Sequence, residues 1–110
     1  MRLTGEAKEQ FEEWWKTQPK SFVNMGFCYL SYGSKLVRLD SISESMQWGV
    51  YQDWADSLGY YITNSFIGGN KPFAPDITKD DNLLWEDYFN TRQEARNAAI
   101  EKLNELINEI

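Results

Sequence analysis

The apolar positions of this chain follow two periods, one helical and one alternating, and the densest helical run lies between residues 41 and 61. There Met46, Trp48, Val50, Tyr51, Trp54, Ala55 and Leu58 recur at helical spacing. At ~100° per residue they sweep ~200°, leaving Gly49, Gln52, Asp53 and Asp56 on most of the remainder. An arc about twice the width usual for a surface helix predicts packing on two sides, so a central helix is expected here, held between another helix and a sheet. Ser41 followed by Glu44 has capping-box spacing, and Gly59 offers the left-handed residue that ends helices.

Two further helices follow from the same period. After Thr4, a candidate cap, Ala7, Phe11, Trp14 and Trp15 fall within ~100° while Glu9, Glu12, Glu13 and Lys16 face away, and Pro19 sets the latest end. The Trp14-Trp15 pair is expected to supply core packing plus a rim contact, with a ligand platform as the alternative. Thr91 with Glu94 forms a second capping box. Ala95, Ala99, Leu103, Leu106, Ile107 and Ile110 make the buried stripe behind it, and Glu94, Asn97, Glu101, Asn104, Glu105 and Asn108 the wet side.

The alternating period marks strands. Residues 60–67 are β-branched and aromatic, residues 68–71 read as a turn, and residues 73–77 are expected to pair back at a sheet edge because of Pro72 and Pro75. Residues 78–82 read as a polar loop and residues 83–89 as another strand. Residues 20–39 admit three readings. Val23, Met25, Phe27 and Tyr29 alternate and Tyr32-Gly33-Ser34-Lys35 resembles a turn, which suggests a hairpin, but Asn24 and Gly26 leave a short helix or an irregular loop open. No internal repeat, linker or low-complexity segment is visible. The expected fold is α+β: one domain over residues 1–110, three helices, and a small antiparallel sheet between the second and third.

Composition narrows the chemistry. A chain of 110 residues suits one core, and 15% aromatic content argues for a folded one. Cys28 is the lone cysteine and histidine is absent, which removes disulfide frameworks, the usual zinc sites and every His-dependent nucleophile. Cys28 is expected to be a buried small hydrophobe. With no apolar leader segment and no run of 18 apolar residues, a cytoplasmic location without membrane contact is expected.

Charge is unevenly placed. Asp40, Glu44, Asp53, Asp56, Asp76, Asp80, Asp81, Glu86 and Asp87 face only Lys71 and Lys79 within residues 40–87, a charge of −7 in a chain whose total is −6. Such a field repels nucleic-acid phosphates and favours basic partners, so direct DNA or RNA binding is not expected.

Candidate chemistry is sparse. Asp53 and Asp56 lie ~60° apart on the polar face and read as a solvated face or partners for a nearby Arg; a divalent-cation site would need additional oxygen ligands, for which only Glu86 and Asp87 are plausible donors. Residues 76–82 lack the spacing of an EF-hand, and Gly68-Gly69-Asn70-Lys71 lacks that of a phosphate loop. Arg92 and Arg96 stand one turn apart on the core side of the last helix. They suit either an ion pair with the central carboxylates, Asp53 or Asp56 first, or an anion pocket with the helix N-terminus. No metal, cofactor or catalytic residue is expected.

The stretches SMQWGVYQDWADSLGYYI and FNTRQEARNAAIEKLNELI, with the LTGEAK-like start, resemble small uncharacterised proteins encoded by gut bacteria and their phages or prophages. The matching residues 3–15, 45–62 and 89–107 cover about half the chain. The resemblance implies an accessory protein of mobile elements and brings no activity with it. The expected function is therefore non-catalytic protein binding through Asp40, Glu44, Trp48, Asp53, Asp56 and Trp85, in the sharper form an acidic inhibitor that occludes a basic host factor. The alternatives are a small-molecule or nucleotide binder using Arg92 and Arg96, and self-assembly, for instance as a homodimer, through exposed aromatics.

Overall fold

Helix and three-stranded meander alternate twice before a final helix closes the chain. The computed structural model describes residues 3–109. The order is α1 (Gly5–Lys16), β1 (Ser21–Asn24), β2 (Phe27–Tyr32), β3 (Lys35–Arg38), a 3-10 turn (Leu39–Ser41), α2 (Glu44–Ser57), β4 (Tyr60–Phe66), β5 (Phe73–Lys79), β6 (Asn82–Glu86) and α3 (Arg92–Asn108). The α+β class and the three helices agree with expectation. The single sheet does not: two antiparallel sheets form, ordered β1-β2-β3 and β4-β5-β6, and the first precedes the central helix. A helix followed by a meander thus occurs twice, a repetition of topology that the residues themselves do not display.

Turn chemistry explains the unread segment. Met25 (φ 51) and Gly26 (φ 80) both adopt positive φ, as a two-residue type I′ hairpin requires. The alternation from Val23 to Tyr29 therefore crosses a turn and belongs to two strands, with Asn24 and Phe27 flanking the reversal. Asp80 (φ 53) and Asp81 (φ 64) make the same kind of turn between β5 and β6, so the expected polar loop shrinks to two residues.

β5 is the middle strand of its sheet, although its prolines predicted an edge. Pro75 is tolerated because its carbonyl faces β6, where it accepts from the Asp87 N–H at 3.2 Å. Its nitrogen faces the same side, beyond the last ladder pair Asp76–Glu86, so the missing N–H removes no bond to β4.

The core gathers around Phe11. Its ring lies 5.1 Å from Tyr51 and 5.3 Å from Trp54, the latter edge-on at 85°, with Trp15 stacked at 6.0 Å. Ile62 and Ile77 of the second sheet and Ala99, Ile100, Leu103 and Ile107 of α3 complete the same cluster. The central helix thus touches α1 through Tyr51 and Trp54, while Gln52 Nε2 on its other side donates to the Ile62 carbonyl of β4 at 3.1 Å. Its buried arc is narrower than predicted, since Met46 is exposed. In α3, Ile100 is buried beyond the expected stripe, and Ile110 lies outside the described residues.

Two caps differ from expectation. The cap of α2 is Ser43, whose Oγ accepts from Met46 N–H at 3.3 Å, while Ser41 Oγ donates to the Arg38 carbonyl and closes the 3-10 turn. Thr4 makes no side-chain cap for α1. Instead Asn108 Oδ1 accepts from Ala7 N–H at 2.9 Å and Asn104 Oδ1 from Thr4 N–H at 2.8 Å, so two asparagines assigned to the wet side of α3 satisfy the open end of α1. Gly5 (φ +56) permits this close approach, because a Cβ there would stand 3.1 Å from Asn108 Oδ1.

Candidate functional site

The residues expected to form a binding surface do not assemble into one. Trp48 is 6% exposed and belongs to the core, and Trp85 packs against the core from β6. Asp40 pairs with Arg38 at 2.6 Å. Glu44 Oε2 accepts from Arg96 Nη1 at 3.0 Å, with Ser45 Oγ 3.2 Å from the same nitrogen and Trp48 beneath the guanidinium at 5.8 Å. Asp53 and Asp56 are exposed and enter no ion pair among the described residues. Arg96 therefore takes a carboxylate from the first turn of α2 in place of Asp53 or Asp56.

Arg92 goes elsewhere. Its guanidinium lies 5.4 Å from the Phe73 ring, and its carbonyl accepts from Asn64 Nδ2 at 3.5 Å. The start of α3 is occupied by its own capping box: Thr91 Oγ1 accepts from Glu94 N–H at 3.1 Å and donates to Glu94 Oε1 at 2.9 Å. With a carboxylate at that helix end and the two arginines on separate partners, no joint anion pocket is built there.

A cleft of about 420 Å³ opens between α1, the start of β2, the 3-10 turn and α2. Phe11, Leu39 and Tyr51 form apolar walls, and its charges are matched, Lys8 with Glu12 at 3.8 Å and Arg38 with Asp40. The Arg38 guanidinium lies 3.9 Å from the Phe27 ring. Burial, and then the nearby Glu12 carboxylate, push the Cys28 thiol up to about 11; burial pushes the Tyr51 hydroxyl up to about 12. Neither group is a nucleophile or a base near neutral pH, so the cleft has no acid–base pair from these two. Among the described residues no three acidic or sulfur side chains converge on a metal position, and no helix is long and apolar enough to cross a membrane.

The most distinctive surface is the outer face of β4–β6. Tyr60, Ile62, Ile77 and Trp85 alternate toward the core, which turns Tyr61, Asp76, Thr78, Leu83 and Glu86 outward. Tyr61 is 63% exposed, Leu83 is 57% exposed, and Leu84 beside it is also exposed at the β-bulge. Asp76 and Glu86 stand directly opposite one another. Asp76 Oδ1 accepts from Thr63 Oγ1 at 2.9 Å, and Glu86 Oε1 accepts from Tyr88 Oη at 2.8 Å, a hydrogen bond that raises the Tyr88 hydroxyl. Asp80, Asp81 and Asp87 border the same sheet, whereas Lys79, its sole cation, turns to the other face, 4.5 Å from the Tyr60 ring.

No family model, curated protein or solved structure matches this chain. The geometry of its own residues therefore carries the functional argument. Sequence reasoning chose tryptophans as the exposed aromatics, and it missed Tyr61 and Leu83. The signal for Tyr61 was present in the alternation of residues 60–67, once Tyr60 and Ile62 are assigned to the core.

Proposed function

We propose that this chain is a non-catalytic protein-binding protein that docks a basic partner on the outer face of β4–β6. The observation that carries this reading is the union of exposed Tyr61, Leu83 and Leu84 with carboxylates that have no cation on their own face. Like charges directly opposed on a sheet are destabilising, so the Asp76–Glu86 pair gains from any cation placed over it. Apolar side chains rimmed by charge are the usual composition of an interaction patch. In the context implied by the resemblance to phage and prophage proteins, such a face suits an acidic inhibitor that covers a host factor's basic groove.

Magnitude sets the expected strength. A seven-residue, three-stranded face measures about 24 by 14 Å, under half of the ~800 Å² per partner typical of a stable complex. Binding through this face alone is therefore transient and salt-sensitive. The test is retention of host-lysate proteins by immobilised protein at low and high salt, compared with the Asp76→Asn/Glu86→Gln double variant. Basic proteins should be held at low salt by the unmodified chain and lost in both other conditions. Retention that is unaffected by salt and by the double variant would sink the proposal.

A further inference from the structure

The cleft beside α1 lacks acid–base chemistry but is equipped for recognition. Four elements wall it, through Phe11 of α1, Phe27 of β2, Leu39 of the 3-10 turn and Tyr51 of α2. At about 420 Å³ it has the size of a small-molecule site, and aromatic walls interrupted by a few polar groups are the usual composition of one.

One lining side chain is held in a fixed pose with a donor unused. Arg38 Nη2 donates to Asp40 Oδ2 at 2.6 Å, and the face of the guanidinium lies against the Phe27 ring. Its backbone is held as well, since the Arg38 carbonyl accepts from Ser41 Oγ at 2.7 Å. Arg38 Nε is nevertheless buried and has no hydrogen-bond partner among the described residues. A buried donor without an acceptor is costly, so an acceptor brought into the cleft gains more there than at an exposed donor. The Tyr51 hydroxyl, in the same lining, belongs to a buried side chain and makes no hydrogen bond among the described residues.

Charge decides what kind of acceptor fits. Lys8 faces Glu12 and Arg38 faces Asp40, so the cations and carboxylates of the lining are equal in number, and the whole chain carries −6. An anion therefore meets no net positive charge and competes with Asp40 for the same guanidinium. A cation offers no acceptor to the Arg38 Nε–H. A neutral carbonyl oxygen accepts that hydrogen bond with neither drawback. We infer that the cleft is a binding site for a neutral, flat, mostly apolar small molecule bearing a carbonyl oxygen, its ring against Phe11, Leu39 and Tyr51 and its oxygen accepting from Arg38 Nε–H. The site is separate from the β4–β6 face and does not depend on the function proposed for that face.

Titration of the isotope-labelled chain followed by NMR tests this, because an arginine Nε–H gives a resonance of its own. The probes share one ring system: indanone, indane, which lacks the oxygen, and indanecarboxylate, which is an anion. Indanone should shift the Arg38 Nε–H together with the amides of Cys28 and Leu39, and should bind about tenfold more tightly than either other probe, the scale of one hydrogen bond from a charged donor. Arg38→Lys keeps a cation opposite Asp40 and removes the Nε–H. It should abolish the preference for indanone while leaving the binding of indane as it was. Equal affinities for indanone and indane, tighter binding of indanecarboxylate, or an Arg38→Lys chain that keeps the preference each overturn the inference. So does an indanone titration that leaves the cleft resonances unmoved.

Discussion

Cys28 and Tyr51 share the cleft beside α1, and burial holds both protons in place. A thiol raised from 9.0 to about 11 has about one hundredth of the ordinary thiolate fraction at pH 8. Iodoacetamide labelling followed by mass should therefore be about 100-fold slower for the folded chain than for the same chain in urea. Equal rates would show the thiol to be unperturbed. Tyr51 gives a pH effect of defined sign. The folded chain keeps its phenolic proton up to about 12, whereas an unfolded chain releases it near 10.0, so stability is whole below pH 10.0 and declines as pH rises toward 12. Cys28 adds a decline of the same sign from 9.0 upward. Urea midpoints measured across this range should fall, and Tyr51→Phe should flatten the part above pH 10. The apolar run and the absence of histidine predicted a buried small hydrophobe at Cys28, whereas its side chain is only partly buried in the wall of the cleft. The partner of Arg96 was not legible, because helical spacing gives the direction of a side chain and says nothing about which of several carboxylates lies there.

At the scale of elements, periodicity located all three helices and local signals located their ends only in part. Thr91 with Glu94 and Gly59 (φ +86) behave as their spacing predicts, because both devices are closed within a few residues. The start of α1 is closed from 100 and 101 residues away, by Asn104 and Asn108. Replacing Asn108 by alanine removes the acceptor of the Ala7 N–H and should lower stability by about 1–2 kcal/mol, as loss of a strong N-cap does. Chemical denaturation of Asn108→Ala checks this, and an unchanged midpoint would mean that water serves the amide equally well. Strands were harder. The hairpin tip at Met25 and Gly26 was hidden because an apolar residue at the turn continues the alternation, and Met25 is 89% exposed. The Asp80–Asp81 turn was hidden because two aspartates with positive φ look like loop composition, not like a tight reversal.

At the scale of the molecule, one hydrophobic cluster joins both helix-plus-meander halves to α3, and Phe11 is the contact that links α1 to α2. Removing its buried ring should cost about 3–5 kcal/mol. Because the cluster is shared, Phe11→Ala should move the unfolding seen by tryptophan fluorescence and by far-UV circular dichroism together. Two separated transitions would show that the halves unfold independently. What the sequence determined by itself was whatever neighbouring residues settle among themselves: helical faces, a capping box, a glycine stop, the alternation of β4, and a charge concentrated in the middle of the chain. Only the tertiary structure decided that there are two sheets, that Trp48 and Trp85 turn inward while Tyr61, Leu83 and Leu36 stay outside, and that Asp76 and Glu86 stand opposite one another on one sheet face. Those outcomes depend on strand register and on contacts between residues distant in the chain. Local spacing constrains neither, because each is set by which elements compete for the same core.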